Sequence, residues 1–218
     1  PVCAAAPAAV RGLMDALRRS LEKSLYGSAP SLLLRPFGML FAQVVRIRRW
    51  AYRRGIFPTG HPGVPVIVVG NIGVGGTGKT PLVLWLVQQL QAEGLRAGVV
   101  SRGHGARRPP RAPRLVSASD SPDEVGDESL LLARRAECPV CVAVDRLAAA
   151  RELVAKGCQV IVADDGLQHY ALGRNLEIAV VDGARGLGNG TLLPAGPLRE
   201  PPQRLREVEQ QLPAGLVL

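Results

Sequence analysis

Residues 73–80 read Gly-Val-Gly-Gly-Thr-Gly-Lys-Thr. This is the complete G-x-x-x-x-G-K-[ST] spacing, and each position has a chemical reason. Gly73, Gly75, Gly76 and Gly78 let main-chain N–H groups turn inward around oxyanions, with Val74 and Thr77 completing the loop. Lys79 reaches the β- and γ-phosphates of a nucleotide, and Thr80 offers its hydroxyl to Mg²⁺. A helix opening here adds the positive end of its dipole. The loop by itself names no reaction. The N-K-x-D guanine motif of GTPases does not occur in the chain, and Val74 stands where dimerising membrane ATPases carry a second lysine.

A second group of chemically able residues is Asp164-Asp165-Gly166-Leu167-Gln168-His169, at the end of the apolar run Val160-Ile161-Val162-Ala163. Adjacent carboxylates repel each other unless a cation is near. Asp-Gly is also a common turn pair. With a phosphate loop upstream, a metal carboxylate at a strand end is the favoured reading. His169 belongs to this site by position, with no defined role. A third acidic cluster, Asp127-Glu128, precedes the apolar run of residues 130–132. Asp127 could favour a helix N-terminus, or it could accept the proton of an acceptor hydroxyl in phosphoryl transfer. Both readings stand.

The elements that must hold these groups can be read from the apolar pattern. From Val64 onward, short β-rich runs alternate with helical stretches. Strands are expected at 64–70, 97–103, 139–144, 159–164 and 176–182, and helices at 80–92, 126–136 and 145–156. Continuous apolar strands between helices imply an α/β fold, a mostly parallel sheet covered by helices on both faces. The basic, Pro-rich run 106–114 is expected to be a mobile loop. Cys138-Pro-Val-Cys141 has half-zinc spacing, but no second Cys/His pair follows, so a buried strand is the better account. Four cysteines in 218 residues do not make a disulfide framework.

The net charge of +9 is unevenly placed: residues 1–62 hold ten Lys/Arg against two Asp/Glu, and the remainder is close to neutral. The basic character therefore belongs to an N-terminal arm and asks for an acidic partner. A nucleic acid is not expected, because the domain that follows is nearly neutral. Residues 1–13 are Ala/Pro-rich, with Met14 a plausible start. In 36–53, Phe37, Leu40, Phe41, Val44, Val45, Ile47 and Tyr52 share one side of a helix, and Arg46, Arg49 and Arg53 share the other. No run reaches the roughly 18 apolar residues of a spanning helix. Such a helix could lie in a membrane interface or dock on its own domain.

Taken together, "VGNIGVGGTGKTP", "SRGHG", "VGDES", "ADDGLQHY" and "IAVVDGARGLGNGTLLPAGPLREP" resemble the tetraacyldisaccharide 4′-kinases of lipid A biosynthesis, from about Phe37 to Arg204. The run at 188–201 is the most specific part. The resemblance implies a P-loop kinase core over 63–204, an arm over 1–62 and an atypical tail over 205–218. It implies an ATP- and Mg²⁺-dependent enzyme that phosphorylates the 4′-hydroxyl of a tetraacylated glucosamine disaccharide 1-phosphate. The setting it implies is peripheral, at the cytoplasmic face of the bacterial inner membrane, with residues 36–53 on the anionic surface. Asp127 matches the family's proposed general base and Lys79 its phosphate lysine. Thr80, Asp165 and Glu200 match positions associated with the metal. Asp164, Gln168 and His169 match other active-site positions, and Arg146 and Arg199 match charge-stabilising ones. Two departures stand out. His104 replaces a usual Tyr in "SRGHG". The family also continues for roughly a hundred residues, about a small domain, into a second lobe that "REVEQQLPAGLVL" does not resemble. A chain without that lobe is expected to bind Mg·ATP and to transfer phosphate poorly.

Overall fold

The computed structural model describes residues 25–27, 32–75, 78–107 and 110–209. Expectations for residues 1–13 and for the end of the chain lie outside these, as do Gly76 and Thr77. The described chain runs α1 (Arg35–Arg53), β1 (Val66–Gly70), α2 (Lys79–Ala92), β2 (Ala97–Ser101), β3 (Arg114–Leu115), α3 (Pro122–Val125), α4 (Asp127–Arg135), β4 (Val140–Val142), α5 (Arg146–Ala155), β5 (Val160–Asp164), β6 (Leu176–Ala179) and α6 (Arg204–Glu209). The six strands form one sheet in the order β3-β4-β2-β5-β1-β6. All pairs are parallel except the two-residue edge strand β3, which runs antiparallel to β4. The basic run at 106–114 thus ends on the sheet edge.

Side chains on a strand alternate between faces, and the strands here sort accordingly. Val66, Val68, Ile161 and Ala163 face one cluster, which α5 covers with Ala149, Ala150 and Leu153. Val69, Val160 and Val162 face the other, covered by α2 with Val83 and Val87 and by α4 with Leu132. Strands β2, β4 and β5 are buried along their whole length, as expected of a parallel sheet covered on both faces. Cys141 lies inside β4, fully buried. Burial pushes the Cys138 thiol up to about 12 and that of Cys141 up to about 11, so neither is a thiolate at neutral pH.

The N-terminal helix divides its apolar residues differently from the sequence expectation. Phe41, Ala42 and Val45 pack on the core. A Cβ placed on Gly38 would stand 3.0 Å from the Ala195 Cβ, so the helix lies close on the 188–201 segment. Phe37, Leu40, Val44 and Ile47 face outward, 54–65% exposed. Arg49 turns inward to pair with Glu207 of α6, which Arg53 also meets at 2.7 Å. The helix is therefore docked by one apolar stripe while a second stays open, and Phe41 and Arg49 belong to the docked side.

Candidate functional site

β1 and β5 are neighbours, with Val69 opposite Asp164 in the parallel register. This brings the loop after β1 and the carboxylates after β5 to the same end of the sheet, where open α/β sheets gather ligands. Gly75 and Gly78 have positive φ, 111° and 76°, a region open to glycine at no steric cost. Gly78 is the N-cap residue of α2 and offers no side-chain cap, which leaves first-turn N–H groups free for an anion. Lys79 and Thr80 are the first two helical residues.

The 188–201 segment closes the other side of the loop. Gly73 forms a bridge with Leu198. Val74 N–H donates to the Pro197 carbonyl (2.8 Å), and Arg199 N–H to that of Ile72 (2.6 Å). Within the loop region, the Asn71 side chain donates to the Gly75 carbonyl (3.3 Å). Gln168 in turn donates to the Asn71 carbonyl (2.9 Å) and so joins the phosphate loop to the carboxylate turn.

Asp165 is the meeting point. Lys79 Nζ lies 3.6 Å from its Oδ1 and Arg199 Nη1 3.1 Å from its Oδ2. Its backbone has φ 49°, and Arg146 Nη1 donates to its carbonyl (2.7 Å). The next residue, Gly166, has no room for a side chain, since a Cβ there would be 2.7 Å from Val68 Cγ1. Burial raises the Asp165 carboxyl, but Lys79 and Arg199 outweigh it and hold the group below the usual carboxylate range. Asp164 is buried, 1% exposed, and goes the other way. Burial first, then the carboxylates of Glu128 and Asp165, push it up to about 6 against Lys79 and Arg146. Two adjacent carboxyls are thus set apart by environment.

Around them, Arg146 is 4% exposed. Burial lowers it to about 10, opposed by both aspartates, and it stays cationic at neutral pH. His169 is lowered to about 4, by burial and then by Arg146 and Arg174, so its ring is neutral there. Asp127 stands exposed at the first position of α4. Its Oδ2 lies 3.7 Å from where a Cβ on Gly105 would be, so "VGDE" packs against "SRGHG". Glu200 is buried, and its Oε2 lies 3.2 Å from Arg204 Nε. Its ion pair is therefore with α6 and not with Lys79 or another member of the phosphate site.

Hard oxygen donors at Asp164 and Asp165, the latter 3.6 Å from Lys79 of the loop, fit Mg²⁺, which takes one or two carboxylates and completes its shell with phosphate and water. Asp164 Oδ1 is buried with no hydrogen-bond partner, an acceptor still to be satisfied. Among the described residues no cluster of three or more His, Cys, Asp or Glu is arranged to hold a metal by itself.

With this geometry in place, comparison with known proteins is informative. The family model for tetraacyldisaccharide-1-P 4′-kinase matches residues 30–214. The chain belongs to this family. The tetraacyldisaccharide 4′-kinase of Alkalilimnicola ehrlichii is 58% identical over 182 residues, 84% of this chain and 55% of that protein. That of Nitrosococcus oceani is 51% identical over 193 residues, 88% of this chain and 57% of that protein. The chain therefore spans about half the length of these relatives. Its fold is similar to that of LpxK from Aquifex aeolicus, solved in complex with ATP, with a TM-score of 0.72 at 31% identity, covering 85% of this chain and 61% of that one.

Four further residues stand at the site without having been assigned to it from sequence. Asn71 sits just before the loop motif. Tyr26 donates its hydroxyl to the Val74 carbonyl (2.7 Å). Glu128, beside Asp127, bears on Asp164. Arg174 lies between β5 and β6 and donates to main-chain carbonyls of the carboxylate turn. Only Glu128 had a signal, as a member of the acidic cluster.

Proposed function

We propose that the chain provides the nucleotide- and metal-binding half of an ATP- and Mg²⁺-dependent kinase acting on the 4′-hydroxyl of a tetraacylated glucosamine disaccharide 1-phosphate. The observation that carries this is the closure of the 188–201 segment onto the phosphate loop, which delivers Arg199 to Asp165. A phosphate loop alone is shared by many activities; this return segment, in a member of this family, ties it to lipid phosphorylation.

In this reading the N–H groups of the loop beyond Val74, whose own N–H is taken by the Pro197 carbonyl, cradle the phosphates, and Lys79 holds the β/γ oxygens. Thr80 and Asp165 would hold the metal, with Asp164 beside them, and the ion would neutralise charge on the transferring phosphoryl group. Arg199 and Arg146 add fixed positive charge at the same point, preorganised because each is already hydrogen-bonded. Asp127 accepts the acceptor hydroxyl's proton, and its exposure leaves it open to a second reactant. Gln168 orients the turn, and neutral His169 is available as a hydrogen-bonding ring. Glu200, paired with Arg204, anchors the end of the 188–201 segment that carries Arg199.

The open stripe Phe37, Leu40, Val44 and Ile47 supports a peripheral seat on an anionic membrane, at the cytoplasmic face where ATP is present. Among the described residues no helix is long and apolar enough to cross one. An apolar face beside Arg46 suits the interface.

The test is transfer of label from γ-labelled ATP to the disaccharide lipid, by the chain alone and by the chain joined to the remaining portion of a full-length relative. Label that depends on Lys79 and on Asp127 is expected in the joined form. Nucleotide binding with no transfer in either form would replace this reading with that of a nucleotide-binding membrane module.

A further inference from the structure

A buried ionic network lies behind the carboxylate turn. Its hub is Arg204, 3% exposed, whose Nη2 lies 2.5 Å from both oxygens of Glu177, itself 2% exposed. Glu177 Oε1 also accepts from Arg174 Nη1 (2.9 Å). Arg174 then spends its remaining N–H groups on backbone. Nη1 reaches the carbonyls of Gly166 (3.4 Å) and Leu167 (3.2 Å), Nη2 donates to that of His169, and Nε to that of Leu172 (3.1 Å). One guanidinium thus spans the whole turn that follows Asp164 and Asp165. On its outer side Arg204 approaches Glu207 (3.7 Å), the residue on which Arg49 and Arg53 of α1 converge.

A turn of this kind does not hold itself. Asp165 has a positive φ, and a non-glycine residue persists there only when its surroundings over-determine it. The carbonyl oxygens that Arg174 reaches along the turn are part-buried and need donors. A planar fork with five donors in fixed directions can serve several at once, whereas an ammonium group cannot. Glu177 and Arg204 fix the fork in turn, and each charge in the interior is paired, as burial demands.

We propose that Arg174, clamped by Glu177 and Arg204, is a positioning residue for the Asp164–Asp165 turn and sets its competence to take Mg²⁺. Arg174 acts through the main-chain carbonyls of the turn and not through its carboxylates. The inference rests on the reading of Asp165 as a metal carboxylate given above.

The experiment is a Mg²⁺ titration of ATP affinity by calorimetry on the full chain, for wild type, Arg174→Gln and Arg174→Lys, each with a melting curve and an affinity measured in chelator. Outer-shell partners of metal ligands typically change metal affinity about 10–100-fold when removed. Both variants are expected to need about tenfold more Mg²⁺ or higher, with affinity in chelator unchanged because the phosphate loop is intact. Arg174→Lys keeps the charge against Glu177 and guards against simple misfolding of the glutamine variant. A purely structural role would lower the melting temperature of Arg174→Lys while leaving its Mg²⁺ titration on the wild-type curve, and that result overturns the inference alone. A wild-type chain whose ATP affinity ignores Mg²⁺ overturns the reading of Asp165 itself, and the inference with it.

Discussion

Arg199 and Asp165 meet at 3.1 Å although they lie 34 positions apart in the chain. The pair joins the segment that follows β6 to the turn that follows β5, and Lys79 completes it from the phosphate loop at 3.6 Å. All three groups are partly open to solvent, so the pairs contribute little to stability. Their significance is positional: a carboxylate held below its usual range stays ionised wherever a kinase works.

Lys79→Ala is expected to weaken ATP binding without unfolding the chain. The lost contact is a charge-assisted one to phosphate, of about 1.5–3 kcal/mol. Calorimetry should read an affinity loss of roughly tenfold to a hundredfold. Equal affinities for the two proteins would remove the loop as the nucleotide site.

The two carboxylates given different duties should separate by their Mg²⁺ response. Asp165→Asn should lose the tightening of ATP binding by Mg²⁺, because a neutral amide is a poor ligand for a hard cation. Asp127→Asn should keep it, since a proton acceptor acts on the other substrate. Identical Mg²⁺ titrations for both variants would break this division of roles.

His169 makes a pH prediction. Its folded value of about 4 lies below the ordinary 6.5. Between these values the unfolded chain binds a proton that the folded chain does not, so stability present above pH 6.5 is lost as pH falls toward 4. Partial solvent access reduces the effect to about 1–2 kcal/mol. Urea melts should show wild type losing that much more than His169→Gln across this window. Parallel curves for the two proteins would mean the ring is not desolvated.

The two apolar stripes of α1 should respond differently to the same change. Leu40→Asp alters a residue 65% exposed, so stability should move by no more than about 0.5 kcal/mol. Its sedimentation with anionic vesicles should fall sharply. Phe41→Asp places a charge against the core and should lower the melting temperature instead. Vesicle binding by Leu40→Asp equal to wild type would assign the open stripe to something other than lipid.

Gly126 is a test of the join between "SRGHG" and "VGDES". Its φ is +85°, and a Cβ there would lie 2.2 Å from the His104 carbonyl oxygen. Gly126→Ala should cost about 1–3 kcal/mol from backbone strain alone, with the clash added, and should displace Asp127. A melting temperature within a degree of wild type would show that the two loops do not interlock.

The sequence by itself determined the local half of this protein. Continuous apolar runs alternating with helical stretches located β1, β2, β5 and the helices α2, α4 and α5 to within a few residues, because burial on both faces of a parallel sheet leaves a continuous apolar signature. The phosphate loop was legible because its chemistry is carried by eight consecutive residues. Tertiary structure decided whatever depends on meetings between distant segments. It brought Arg199 to Asp165, set Asp164 and Asp165 in opposite directions by burial and charge, and turned Glu200 toward Arg204. It also split the apolar face of α1, docking Phe41 and exposing Leu40. A helical wheel cannot tell these two apart, since both are apolar and adjacent; which one is buried is set by the surface waiting beneath. Arg174 is a mixed case: the carbonyls it serves lie in the turn just before it, but the Arg204 that fixes its partner Glu177 is brought there only by the fold.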